Sequence, residues 1–130
     1  MTKSIFTQII ERTVPAHIIY ENDSAIAFLD INPVTKGHTL VIPKTEVEFV
    51  WDMGASDYDE LMDAVKLVAN QLRDKLGANF IGQQIVGVDI PHAHVHLIPF
   101  DDVSEFKAES GSYRLADGEL AEVAEMLKIS

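Results

Sequence analysis

Apolar residues along the chain recur at two periods, and turn-forming residues separate the segments that carry them. Steps of three and four residues predict a short first helix capped by Ser4 and a last helix capped by Asp117. The same period predicts one long helix that begins at Ser56 or Asp57 and ends at Gly77. Apolar runs and alternations rich in β-formers predict five strands, at residues 17–21, 25–31, 38–43, 79–86 and 93–100.

The order of these elements predicts an α+β domain with a mainly antiparallel five-stranded sheet, one long helix and short terminal helices. The first two strands are joined by Asn22-Asp23-Ser24, which is typical of a hairpin. No repeat or low-complexity tract divides the chain, and 130 residues suit one hydrophobic core. We therefore expect a single domain over residues 1–130.

Composition excludes several classes of function. Ten Lys and Arg against 21 Asp and Glu give a formal charge of -11, which repels nucleic-acid polymers and anionic lipid. Cysteine is absent, so disulfides, thiolate metal sites and a cysteine nucleophile are excluded. No apolar run approaches the roughly 20 residues that span a bilayer, and the first residues lack the pattern of a secretory signal. We expect a cytoplasmic protein that binds neither nucleic-acid polymers nor membranes.

Three of the five histidines alternate with apolar residues in the segment PHAHVHLIP, residues 91–99. Alternate side chains of a strand share one face, so His92, His94 and His96 are predicted to line a cleft while their neighbours face the core. An imidazole is a nucleophile toward phosphorus, and its ordinary pKa near 6.5 keeps it partly neutral at cellular pH. Neighbouring imidazoles would then donate hydrogen bonds to the developing charge.

Zinc is the other chemistry that such a row could serve. In a straight strand the backbones of His92 and His96 are roughly 13 Å apart, too far for three consecutive members of the row to share one ion. A zinc site would therefore need two of them together with His38, His17 or a carboxylate. The spacing favours phosphorus chemistry.

The segment from His92 to Ile98 resembles the signature of the histidine triad (HIT) family of nucleotide hydrolases and transferases, His-x-His-x-His followed by two apolar residues. Residues 4–44 resemble the amino-terminal half of the Hint branch, with Gly37-His38 and Phe28-Leu29-Asp30-Ile31 at matching positions. The resemblance covers most of the chain. It implies a HIT-like fold, a homodimer and a purine nucleotide such as AMP, or a derivative of it, as ligand.

The resemblance also implies roles for single residues. His94 would attack the α-phosphorus of a nucleotide and form a nucleotidyl-imidazole that water hydrolyses. His96 would contact oxygens at the scissile bond, and His92, aided by His38, would hold the orientation of the nucleophile. Asp30 would bond the ribose hydroxyls. Apolar residues that taken alone would count as core match the walls around the base: Phe6, Ile9, Val14, Phe28, Ile31 and Leu40.

The chain departs from the family pattern at the positions that bind metal in many relatives. Those relatives carry Cys-x-x-Cys in the first helix, with a later histidine, and hold structural zinc. Ser4, Thr7 and Glu46 occupy these positions here, so we expect no structural zinc. The implied mechanism needs no metal, although Mg²⁺ could accompany the substrate.

A second departure lies directly before the triad. The family pattern has Gln and often Ser or Glu there, in contact with the phosphates, whereas this chain has Val88 and Asp89. Val88 donates no side-chain hydrogen bond, and Asp89 would repel a phosphate at which it pointed. Backbone N–H groups would then supply the phosphate contacts.

Together these observations predict a hydrolase of nucleoside phosphoramidates or other substituted nucleoside monophosphates, acting through a covalent nucleotidyl-histidine. Dinucleoside polyphosphates are the alternative substrates for the same chemistry. Two other interpretations remain open. One is a regulatory nucleotide-binding protein with vestigial turnover, which the altered loop before His92 favours. The other is a zinc hydrolase that uses two histidines of the row with His38.

Overall fold

The computed structural model describes residues 3–129, which form one five-stranded antiparallel sheet with helices on both faces. The strands are β1 (Ile18–Glu21), β2 (Ala25–Leu29), β3 (Thr39–Pro43), β4 (Phe80–Gln84) and β5 (Val95–Phe100). Their spatial order is β1-β2-β3-β5-β4, and each neighbouring pair is antiparallel. The helices are α1 (Ile5–Ile10), α2 (Ala55–Leu76), α3 (Val103–Phe106) and α4 (Glu119–Leu127), with a 3₁₀ turn at Val50–Asp52. The predicted α+β architecture is confirmed.

The two faces of the sheet are covered by different helices. Residues 25, 27 and 29 of β2 face α2 and α4, whereas residues 26 and 28 face α1, because side chains alternate along a strand. Both β2 and β3 are buried at every position, as expected for strands covered on both sides. The α2 face holds the larger core, to which the helices contribute Leu61, Val65, Val68, Leu72, Val123 and Leu127. The smaller core under α1 contains Phe6, Ile9, Ile26, Phe28, Leu40 and Ile42.

The long helix ends where predicted but begins earlier. Gly77 ends α2 in the left-handed conformation, at φ 68°, which glycine adopts at no steric cost. The helix begins at Ala55 after Gly54, so the predicted cap at Ser56 or Asp57 is wrong. Gly54 has no side chain to cap with, and Asp57 lies in the first turn, where a carboxylate is favoured by the helix dipole.

The two terminal helices differ from each other in how their N-termini are capped. The Ser4 side chain caps α1 by accepting a hydrogen bond from the Thr7 backbone N–H at 3.1 Å, as predicted. Before α4 the residue in the cap position is Gly118, not Asp117, so that predicted cap is wrong. Within residues 3–129 no helix is both long enough and apolar enough to cross a membrane.

Candidate active site

A cavity of about 350 Å³ lies beside α1, at the face of the sheet that carries the smaller core. Its lining includes two histidines, His94 and His96, and the segment around Ser110. The seven residues that the resemblance implies for the base and ribose also line it, as does Asp89 at the family's phosphate-contact position: Phe6, Ile9, Val14, Phe28, Asp30, Ile31, Leu40 and Asp89. A cavity of about 510 Å³ elsewhere is lined by no histidine, and one of about 380 Å³ is lined by His38 and His96 but not by His94. Side-chain chemistry rather than volume therefore identifies the candidate site.

The His94 ring is held by the backbone of its own segment. Its Nδ1 lies 2.7 Å from the His92 carbonyl oxygen. A carbonyl only accepts hydrogen bonds, so Nδ1 carries the proton and, in the neutral ring, Nε2 carries a lone pair. Among the described residues no group bonds this Nε2, and no fully buried side-chain nitrogen or oxygen lacks a partner. Nε2 of His94 is therefore open to the cavity that the residue lines.

The His92 ring does not join the other two at the cavity. It is 2% exposed, and its Nε2 donates a hydrogen bond to the Pro43 carbonyl oxygen at 2.8 Å. The prediction that all three imidazoles line one cleft is thus wrong for His92. The physical reason is that β5 begins only at Val95, so strand alternation does not govern the residues before it. Burial lowers the pKa of His92, which keeps the ring neutral.

The His96 ring is oriented by a different route. The Val34 backbone N–H donates to His38 Nδ1 at 3.0 Å, so the proton of a neutral His38 lies on Nε2. That Nε2 lies 2.9 Å from His96 Nδ1, which must accept, and the proton of His96 is left on its own Nε2. Burial lowers the pKa of His96 to about 4, and the neighbouring His38 and His94 act in the same direction. His96 is a neutral hydrogen-bond donor.

His38 therefore supports a different residue from the one expected. The resemblance implied that it aids His92 in orienting His94, but its ring contacts His96. Its side chain is buried, and burial lowers its pKa, an effect that the charge of Asp30 opposes. Asp30 accepts a hydrogen bond from the Asn32 N–H at 2.8 Å through one carboxylate oxygen. Its other oxygen lies 3.6 Å from His38 Nε2.

Two groups of residues occupy positions relevant to metal binding. Ser4 and Thr7 bond each other through their hydroxyls at 3.2 Å, and with Glu46 they offer neither thiolate nor imidazole, so these positions do not fit structural zinc. In the described part of the chain, the set of side chains whose ligand atoms lie within 4.8 Å of one another is Asp30, His38 and His96. It includes one histidine of the row rather than two. A metal there would also have to replace the hydrogen bond between the two rings.

Phe6 and Ser110 connect the site to elements that are distant in sequence. The Phe6 ring packs edge-on against the rings of His94 and Phe28, with centroids 5.1 and 5.6 Å apart. Ser110 was not predicted. It reaches the cavity because the Gly111 N–H bonds the Asn32 carbonyl at 3.0 Å, which ties the segment after α3 to the loop after β2. No local sequence motif signals that contact.

Known proteins share both this sequence pattern and this fold. The family model described as the HIT domain matches residues 11–103, most of the chain. The chain belongs to the HIT family. The HIT protein named Protein hit, from Bacillus subtilis, is 39% identical over 100 residues, which are 73% of this chain and 69% of that protein. The purine nucleoside phosphoramidase of Escherichia coli is 29% identical over 103 residues, 74% of this chain and 86% of that protein.

Solved structures of the HIT family confirm the HIT-like fold. The crystal structure of a HIT-like protein involved in cell-cycle regulation, from Bartonella henselae, superposes with a TM-score of 0.82 at 27% identity. The match covers 97% of this chain and 95% of that chain. In this HIT protein the cavity is therefore faced by one imidazole with an open lone pair and by another with an open N–H.

Proposed function

We propose that this HIT protein is a nucleotide hydrolase of the Hint-like branch, which cleaves nucleoside phosphoramidates at the α-phosphate. The observation that carries the proposal is the pair of opposite tautomers, His94 and His96, at one cavity. A lone pair and an N–H donor side by side are what nucleophilic attack on a phosphoryl group requires. The similarity to a purine nucleoside phosphoramidase supports the same activity.

In the proposed reaction His94 Nε2 attacks the α-phosphorus, and the bond from phosphorus to the leaving amine breaks. The amine leaves with that electron pair and takes a proton from solvent. His96 Nε2–H donates a hydrogen bond to the phosphoryl group, while the His92 carbonyl stabilises the positive charge on the substituted imidazole. Water then attacks phosphorus, its proton passes to solvent, and the electron pair of the phosphorus–nitrogen bond returns to His94.

The remaining lining suits a nucleoside. Apolar side chains dominate it, and Phe6 and Phe28 offer aromatic faces and edges to a base. The Asp30 carboxylate would accept hydrogen bonds from ribose hydroxyls. Asp89 also lines the cavity, and a long polyphosphate chain would place more negative charge near it than an amine would. We therefore favour phosphoramidates over dinucleoside polyphosphates.

We propose further that no resident metal takes part, since both reacting imidazoles are oriented by protein groups. Activity should survive treatment with a chelator and removal of the chelated ions. Loss of turnover that only added zinc restores would instead support the zinc hydrolase. Mg²⁺ bound with the substrate is compatible with the proposal. Its removal would then change KM without abolishing kcat.

The partners proposed for this protein are a purine nucleotide and a second copy of the chain. Trp51 and Val88 are 71% and 78% exposed, and the exposed Val86 lines one depression with Trp51 and another with Val88. Exposed apolar clusters of this kind are typical of interfaces. We expect Trp51→Glu to shift the protein toward monomer in analytical ultracentrifugation, whereas Leu67→Glu on α2 should not. The absence of cysteine fits a reducing cytoplasm, which is the location we propose.

The central experiment is a substrate panel with mass spectrometry of quenched turnover. AMP phosphoramidate and a diadenosine polyphosphate are incubated with native protein, His94→Ala and, as a matched control, His17→Ala, whose side chain does not line the cavity. We expect release of AMP, an adenylyl adduct at His94, and loss of both in His94→Ala alone. AMP binding without turnover above the His94→Ala rate would instead indicate a regulatory nucleotide-binding protein, which the replaced residues Val88 and Asp89 would explain.

A further inference from the structure

We propose that Thr7 is a positioning residue for the histidine row, through a hydrogen bond from its hydroxyl to the His92 ring. Thr7 lies in α1 with its side chain almost fully buried, at 7% exposure. The inference rests on the proposed function insofar as it concerns rate. The geometry of the ring can be tested without turnover.

The direction of each hydrogen bond follows from its partner. His92 Nε2 must donate to the Pro43 carbonyl, so a neutral His92 has no proton on Nδ1. Thr7 Oγ1 lies 3.4 Å from that Nδ1 and is therefore the donor. Ser4 Oγ donates in turn to Thr7 Oγ1 at 3.2 Å and accepts from the Thr7 N–H. A chain of hydroxyls thus runs from the cap of α1 to the row.

The contact matters because His92 orients the proposed nucleophile through its backbone. Its carbonyl oxygen accepts a hydrogen bond from His94 Nδ1–H, at a nitrogen–oxygen distance of 2.7 Å. With Pro43 at one ring nitrogen and Thr7 at the other, the His92 ring is fixed from both ends. Releasing one end lets the ring and its carbonyl tilt, which turns the lone pair of His94 away from the line of attack. Reaction rates are sensitive to small errors of this kind.

Thr7 does not line the cavity, which sets it apart from residues that contact substrate. Loss of its hydroxyl should therefore lower kcat and leave KM almost unchanged. A residue that only supported the nucleoside wall would change KM. The buried Nδ1 of His92 would also be left without a donor. An unpartnered buried acceptor costs more stability than the loss of an exposed hydroxyl.

The test compares three variants with the native protein. Thr7→Val keeps the shape and removes the hydroxyl, Thr7→Ser keeps the hydroxyl, and Thr13→Val removes an exposed hydroxyl that bonds the Gln8 carbonyl. We expect Thr7→Val to lower kcat for AMP phosphoramidate about tenfold with KM within about twofold, and the other two to stay near native. Native kcat in Thr7→Val, or equal loss in Thr7→Ser, would overturn the proposal.

Imidazole nitrogen NMR on the protein without substrate gives a second readout. The native His92 should show Nε2 protonated and Nδ1 accepting, and Thr7→Val should shift the Nδ1 resonance and broaden or shift that of His94 Nδ1. Unchanged resonances at both rings would contradict the positioning role. If the native protein cleaves no nucleotide, the proposed function fails, while these resonances still decide whether Thr7 holds His92.

Discussion

The two histidine pairs of the site, His92 with His94 and His38 with His96, are built alike and present opposite chemistry to the cavity. In each pair the group that faces an Nδ1 decides where the proton lies. His94 Nδ1 faces a carbonyl oxygen, which leaves the lone pair on Nε2. His38 Nδ1 accepts a hydrogen bond from a backbone N–H, so His38 Nε2 donates to His96 Nδ1 and the proton of His96 lies on Nε2. The same side chain thus becomes a candidate nucleophile or a donor according to its backbone partner.

The pairs also differ in what holds them. The rings of the first pair lie in the segment before β5, and His92 is held by the end of β3, through Pro43, and by α1, through Thr7. The second depends on the pairing of β3 with β5, in which Leu40 lies opposite His96. Because the pKa of His96 is lowered to about 4, this ring donates a hydrogen bond but is not a source of protons near neutral pH. Under the proposed mechanism solvent therefore protonates the leaving amine.

The comparison predicts its largest effect when one member of each pair is removed. His94→Ala should lower kcat roughly 10⁴-fold or more, because the covalent route is lost. His96→Ala should lower it by about 10² to 10³, the usual cost of one hydrogen-bond donor to a transition state. Single-turnover kinetics with AMP phosphoramidate measures both. Equal losses in the two variants, with no adduct at His94 in the native protein or in His96→Ala, would remove the distinction between nucleophile and donor.

A second prediction concerns the relay from Val34 through His38 to His96. In His38→Ala the Nδ1 of His96 loses its donor, so the proton of His96 is free to move to Nδ1 and away from the cavity. We expect kcat to fall about a hundredfold, while AMP affinity changes little. Imidazole nitrogen NMR should show His96 as a mixture of tautomers. His17→Ala is the matched control, and a single unchanged His96 tautomer in His38→Ala would refute the relay.

Much of the fold and of the cavity lining could be predicted from sequence. Period and turn residues located all five strands, because these patterns depend on neighbours along the chain. The cavity walls were predicted only through the resemblance to the HIT family, since taken alone their apolar residues would count as core. The predicted substrate contacts do line the cavity, although their roles stay predictions. Helix starts at Gly54 and Gly118 were missed because these caps use no side chain.

What the sequence could not supply was the partner of each ring nitrogen. Alternation predicted that His92 shares a face with its neighbours, but the chain enters the sheet only at Val95. His38 and His96 are 58 positions apart along the chain, and their contact depends on the register between β3 and β5. The hydroxyl of Thr7 meets His92 across 85 positions. Tautomers are decided by such long-range contacts, and a motif does not encode them.

The smallest predicted effect is a pH dependence of stability that distinguishes His96 from an ordinary histidine. Its pKa falls from the ordinary value of 6.5 to about 4 on folding, so below 6.5 the unfolded chain binds the proton more tightly. The contribution to stability is complete above pH 6.5 and is lost progressively as the pH falls toward 4. Between about pH 6.5 and 5 we expect a loss of about 1 kcal/mol from this ring, allowing for its residual exposure.

Urea denaturation of native protein and His96→Asn at both pH values measures that contribution as the difference between the two pH dependences. His92 has a pKa lowered by burial in the same direction, and it remains in the variant without contacting the replaced side chain, so it cancels in the difference. His38 bonds the replaced ring, so the difference reports the hydrogen-bonded pair of His96 and His38. Carboxylates titrate mainly below this window. His17→Asn is the matched control for a side chain outside the cavity. If His96→Asn retained the full native pH dependence of stability, folding would not lower the pKa of His96. His96 would then not be the buried, neutral hydrogen-bond donor that distinguishes the second pair from the first.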